Sequence, residues 1–162
     1  MPILLILALS SSRLIPHPPN FTPILAVGIF SGFYFKNFFQ SFFIVIFSMF
    51  LGDLYLGFHN TMFFTYSSLS IAVLLGIFIK HFKFKEIFFT GVGSSVGFFI
   101  ITNFGVWALS SMYEKSFGGL IQSYIMGLPF FHNTLLSTLL YLIALKIIID
   151  FSIKTKVIKI SL

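Results

Sequence analysis

The sequence predicts an all-α integral membrane protein, a bundle of about six transmembrane helices forming a single domain over residues 1–162. Three observations predict it. Hydrophobic residues make up 57% of the chain and charged residues 9%, with a mean hydropathy of +1.03. A soluble domain of this length could not draw a charged surface from so few ionic groups. The apolar residues run in segments that approach the ~20-residue length of a bilayer-crossing helix. The lysines collect at the ends of those segments, so the net charge of +6 reads as membrane topology and not as a nucleic-acid interface.

The first element is a short helix over Pro2–Ile15. Its start, "MPILLILALSSSR", lacks the basic leading region and the small-residue cleavage site of a signal peptide, so it reads as a retained helix. "RLIPHPPNFTP", Arg13–Pro23, then stops it, because each proline lacks an N–H and holds its predecessor out of the helical region. The second helix covers Thr22–Phe35 and the third Phe38–Leu56, with the break placed by Lys36 and Asn37. The fourth covers Met62–Ile79, the fifth Glu86–Leu109 and the sixth Thr134–Phe151. Before the sixth, Gly118–Phe131 is short and interrupted by glycines, which predicts a re-entrant or interfacial segment.

Charge orients the bundle. With the N-terminus in the cytoplasm, the inner loops carry Lys36, then Lys80, Lys83 and Lys85, then a tail with Lys154, Lys156 and Lys159. The outer loops keep only Arg13 and Lys115. That satisfies the excess of basic residues found on the cytoplasmic side and predicts a multi-pass protein of the inner (cytoplasmic) membrane with both termini inside.

On this topology the polar side chains gather at the outer face. Asp53, in "FLGDLYLGFHN", is a carboxylate near the outer end of the third helix, where burial in a membrane demands a partner or a function. Arg13 is its candidate partner; it could also clamp an anionic ligand or snorkel to the interface. Asn103 and Trp107 in "ITNFGVW" lie four residues apart on one helix face. Together they suit a ring-shaped ligand, by hydrogen bonding and stacking, although a Trp near a span end is ordinarily an interfacial residue. His17, Asn20 and Asn133 complete the candidate substrate-binding set. The candidate cavity is lined by the Arg13–Asn20 loop, Asp53, Asn103, Trp107 and the 118–133 segment.

Other chemistry is thin. Cysteine is absent, which excludes disulfides and thiolate metal sites. His17, His59 and His132 match no metal-ligand spacing, and no catalytic or ATP-binding motif occurs, so neither a cofactor nor a metal is expected. Small residues four apart suggest close helix packing at Gly28 and Gly32, and at Gly93 and Gly97. Ala8 and Ser12 form a similar pair on the first helix, which could face a partner protein.

The segments "RLIPHPPNFTPILAVGIFSG", "GDLYLGFH", "FFIITNFGVWAL" and "GLIQSYIMGLPFFHNTL" together resemble a family of small uncharacterised bacterial membrane proteins. That family is similar to the substrate-binding (S) components of energy-coupling-factor transporters. The resemblance implies six helices with both termini inside, a vitamin or similar micronutrient bound near the outer surface, and a first outer loop folded over it. It implies as partners a transmembrane coupling subunit, met by small residues of the first helix, and two ATPases, although solitary relatives of S components also exist. The chain departs from the pattern in its short first helix and in having Ala8 and Ser12 in place of paired alanines. The sequence leaves two rivals: a structural or assembly membrane protein with no ligand, and a membrane enzyme using outer His, Arg and Asp residues.

Overall fold

The computed structural model describes residues 2–154, which form six α-helices: α1 (Pro2–Leu14), α2 (Ile24–Phe35), α3 (Phe38–Leu56), α4 (Met62–Phe78), α5 (Phe84–Leu109) and α6 (Phe117–Lys154). Three of them, α3, α5 and α6, are long and apolar enough to cross a membrane. The exposed surface carries large apolar side chains such as Phe39, Phe63, Phe78 and Phe89, a surface suited to lipid and not to water. This is a membrane protein. Lys156 and Lys159 of the expected basic tail lie outside the described residues.

The helices differ sharply in length. At 1.5 Å per residue α2 is only ~18 Å long, against ~39 Å for α5 and ~57 Å for α6. The short helix occupies the centre, packed against α3, α4, α5 and α6. Every residue from Ile24 to Phe33 is buried, as its uniformly apolar sequence requires. By contrast α1 packs on α3, burying Ile6 and Leu9 and donating a hydrogen bond from Ser10 Oγ to the Ser48 carbonyl at 3.1 Å.

The tightest crossing is between α2 and α4. A Cβ on Gly32 would lie 2.2 Å from the Val73 carbonyl oxygen, and one on Gly76 would lie 2.0 Å from that of Ile29. The sequence singled out Gly32 correctly. It did not find Gly76, and Gly28 makes only ordinary van der Waals contact. The expectation for Gly93 and Gly97 is overturned, because a Cβ at either would meet nothing within 4 Å. The glycine of α5 that does pack is Gly91, against Leu142 and Leu139 of α6.

The loops sort the bundle into two ends. At one, Lys36 closes α2 in a left-handed conformation (φ 51°) and Asn37 caps α3, accepting a hydrogen bond from the Gln40 N–H at 3.0 Å. Lys36 Nζ also donates to the carbonyl of Ile77 in the last turn of α4 (2.8 Å) and to that of Ile79 just beyond it. Phe82 fills the space beneath, with its ring 4.8 Å from that of Phe33 and 5.8 Å from that of Phe30. The opposite end holds the α1–α2, α3–α4 and α5–α6 loops around a cavity.

One element differs from expectation. Gly118–Phe131 is neither separate nor re-entrant; it is the first half of α6, a continuous helix of 38 residues with Pro129 inside it. Gly119 and Gly127 there mark close approaches and not breaks. A Cβ on Gly119 would lie 2.1 Å from the Glu114 carbonyl oxygen. The prolyl residue removes one hydrogen bond from the ladder without ending it.

Candidate functional site

A cavity of about 560 Å³ opens at the end of the bundle opposite Lys36. The length mismatch creates it. Because α2 begins only at Ile24, the space above its first turn is walled by α3, α4, α5 and α6 and left unfilled by α2 itself. Ile24 and Leu25 line that space, as do Leu69 and Phe98. The volume lies within the range of small-molecule sites, and the lining is largely apolar with scattered polar groups.

The proline-rich loop lies at the same end and contributes His17, Asn20 and Thr22 to the lining. It is held in shape by its own backbone, with the Phe21 N–H donating to the Pro18 carbonyl at 2.9 Å and Asn20 in the left-handed region at φ 62°. Asparagine tolerates that region better than most side chains. The loop is strapped to α6, where Asn133 Nδ2 donates to the Pro19 carbonyl at 3.0 Å and Ser137 Oγ donates more weakly to that of Asn20 at 3.5 Å.

Arg13 reaches the cavity from the end of α1. Its Nη1 donates to the Met49 carbonyl at 2.9 Å, and its Nη2 lies 2.7 Å from Asp53 Oδ1. That contact is an ion pair without aligned hydrogen-bond geometry. Asp53 is 1% exposed, and its Oδ2 accepts a 2.6 Å hydrogen bond from the Tyr66 hydroxyl of α4. Gly52 makes the pair possible, since a Cβ there would lie 2.4 Å from Arg13 Nη1. A buried charge left alone would be costly. Here Arg13, Asp53 and Tyr66 tie α1, α3 and α4 together and leave no net charge.

Asn103 lies on the far wall, on α5. Its Nδ2 donates to the Phe99 carbonyl at 2.8 Å, and its amide rests against Gly127 of α6, where a Cβ would lie 2.4 Å from Oδ1. Oδ1 accepts no hydrogen bond from the described residues. Deeper in, Thr138 lines the cavity with its hydroxyl fully buried and without a partner.

Of the seven candidate residues, Arg13, His17, Asn20 and Asn103 line one cavity. Three do not. Asp53 sits behind Arg13, neutralising it. Trp107 sits in the last turn of α5 and ties down the α5–α6 loop. Its indole N–H donates to the Glu114 carbonyl at 2.9 Å, and Lys115 caps α5 by donating to the Trp107 carbonyl and, at 2.6 Å, to that of Ser110. Asn133 holds the proline-rich loop and does not face the cavity. The expected 118–133 segment does reach the lining, through Met126, Gly127 and Phe130, but the sequence reading missed Tyr66, Gly52 and Thr138 and did not single out Gly127. The two glycines carried a signal, each sitting beside a polar or loop-like motif, while Tyr66 and Thr138 look like ordinary helix residues. Among the described residues no three His, Asp or Glu side chains come together as a metal site.

No curated protein and no solved structure matches the chain. A family match spans residues 1–158, and the chain accordingly belongs to that family, a family of unknown function (DUF6580).

Proposed function

We propose that the protein binds a small molecule in the cavity at its Arg13 end and takes part in its uptake, in the manner of an S component of an energy-coupling-factor transporter. The observation that carries this reading is the cavity itself. Its polar groups come from α1, the proline-rich loop, α4, α5, α6 and the neighbouring loops, and they are set among a mostly apolar lining. A structural or assembly protein gains nothing from leaving such a volume open at the centre of its bundle. Acid–base catalysis has less support, since Asp53 is buried and engaged by Arg13 and Tyr66.

In this reading all six helices lie in the inner membrane, the Arg13 end faces outward and both termini are cytoplasmic. Lys36, Lys80, Lys83 and Lys85, all at or beside the opposite end, support that orientation. The substrate is a vitamin-like or similar micronutrient. The proline-rich loop is its cover. A transmembrane coupling subunit with ATPases, or action as a solitary binding protein, supplies the rest of the cycle.

The test is purification from native membranes, followed by mass spectrometry of the small molecules released on denaturation. One compound in near-stoichiometric amount, lost from an Asn103→Leu variant, supports the reading. Well-folded protein that releases no such compound, together with a terminal reporter fusion found outside, sinks it.

A further inference from the structure

We infer that the cavity takes an uncharged, mostly apolar molecule carrying a hydrogen-bond acceptor, such as an amide or ring carbonyl, at its buried end. This rests on the small-molecule reading of the cavity given above and names the class of ligand it would hold.

The charge balance comes first. Among the described residues Arg13 is the one Lys, Arg, Asp or Glu in the lining, which also holds the imidazoles of His17 and His59 at its loops, and the guanidinium is already matched at 2.7 Å by the carboxylate of Asp53. An anionic ligand would have to compete with a buried carboxylate for the same cation, and would be repelled by it. A cationic ligand would find no acidic side chain in the wall. Removing either kind of ion from water without a partner is strongly unfavourable, so the cavity discriminates against both.

The polar groups then say what is recognised. The Thr138 hydroxyl is 0% exposed and has no partner. In a helix its usual acceptor is the carbonyl four residues back. That carbonyl, Thr134, already accepts from Ser137 Oγ at 3.1 Å. Thr138 belongs to the cavity wall together with Leu25 and Leu69, so its unpartnered hydroxyl is a donor at the cavity's lining. The first turn of α2 points at the same region. Its N-cap is Pro23, no side chain caps it, and Ile24 and Leu25 line the floor. Uncapped first-turn N–H groups carry a partial positive charge, enough to favour a carbonyl oxygen. On the side wall Asn103 adds an amide whose Oδ1 accepts no hydrogen bond from the described residues and is left for an N–H of the same ligand. A buried hydroxyl without a partner lowers stability in the empty protein. The ligand removes that cost when it binds.

The test uses matched neutral and anionic compounds with the full-length protein in lipid nanodiscs: indole-3-acetamide against indole-3-acetate, and 2-naphthamide against 2-naphthoate. Binding is followed by saturation-transfer NMR with titration. The amides should bind at least about tenfold tighter than their carboxylates, the difference made by one unfavourable polar contact. Thr138→Val should weaken amide binding roughly tenfold while raising the thermal stability of the empty protein. Asp53→Asn, which frees Arg13, should reverse the preference toward the carboxylates; should that variant fail to fold, the wild-type pairs and Thr138→Val decide alone. Carboxylates that bind the wild type as tightly as the amides overturn the inference and leave a small-molecule site standing. So does amide binding unaffected by Thr138→Val. Binding of neither class, by protein that also releases no compound on denaturation, removes the inference and the underlying reading together.

Discussion

The two ends of the bundle are built from the same helices and solve opposite problems. Around α2 at the Lys36 end the packing is tight: Phe82 stacks on Phe33, Lys36 covers the end of α4, and Gly32 and Gly76 let two backbones touch. At the Arg13 end the helices part, and polar groups line the space between them. The difference follows from α2. Its twelve residues are packed on all sides near Lys36 and run out before the other end is reached. The comparison teaches that one short central helix, framed by long ones, produces a sealed half and a hollow half without any change in the surrounding helices.

The largest expected effect tests the sealed half. Gly76→Leu would drive a side chain into the Ile29 backbone and should abolish monodisperse expression, costing more than the ~1–3 kcal/mol of ordinary overpacking. Gly93→Leu, on an open face of α5, should leave size-exclusion behaviour and thermal stability unchanged. Equal damage from both would mean that the two halves are not packed as different environments.

Next is the charge pair at the rim of the hollow half. Asp53→Ala leaves a guanidinium without its counter-charge and should destabilise the protein by about 3–5 kcal/mol in denaturant unfolding. The double variant Arg13→Met/Asp53→Leu removes both charges and should recover most of that loss. Failure to recover would show that Asp53 acts chiefly through Tyr66. The smallest effect concerns the loop over the cavity. Asn133→Ala removes one hydrogen bond, to the Pro19 carbonyl, and should cost about 0.5–1.5 kcal/mol. Hydrogen exchange in residues 17–22 should speed up while that of α2 and α4 stays constant.

Much of the architecture was legible. α3 runs over the residues expected, Phe38–Leu56, and the first, second, fourth and fifth helices differ from expectation by one or two residues at an end. Charge and proline signals are local, and they were enough for these boundaries. The sixth helix was not legible, because Gly118, Gly119, Gly127 and Pro129 look like punctuation in one dimension. Their reason is three-dimensional: Gly127 gives way to Asn103, a residue 24 positions earlier. The same blindness affected spacing. Gly93 and Gly97 fit a packing motif, but spacing alone cannot say which face of α5 meets another helix. Of the site, Arg13, His17, Asn20 and Asn103 were findable because polar residues stand out in an apolar chain. Trp107 stood out equally and is used to close a loop. Thr138 could not be found, because its distinction is a missing partner, and only coordinates show that.

The enclosure of α2 also bears on how the protein meets lipids of different thickness. A helix of ~18 Å facing lipid would pull the bilayer thin around it or be forced to move, since the hydrocarbon layer is ~30 Å deep. Because α2 is wrapped by protein from Ile24 to Phe33, that mismatch is never presented to the membrane. Acyl-chain length therefore acts on the outer helices, the 13-residue α1 among them, while the floor of the chamber at Ile24 and Leu25 is carried by a helix that lipid does not touch.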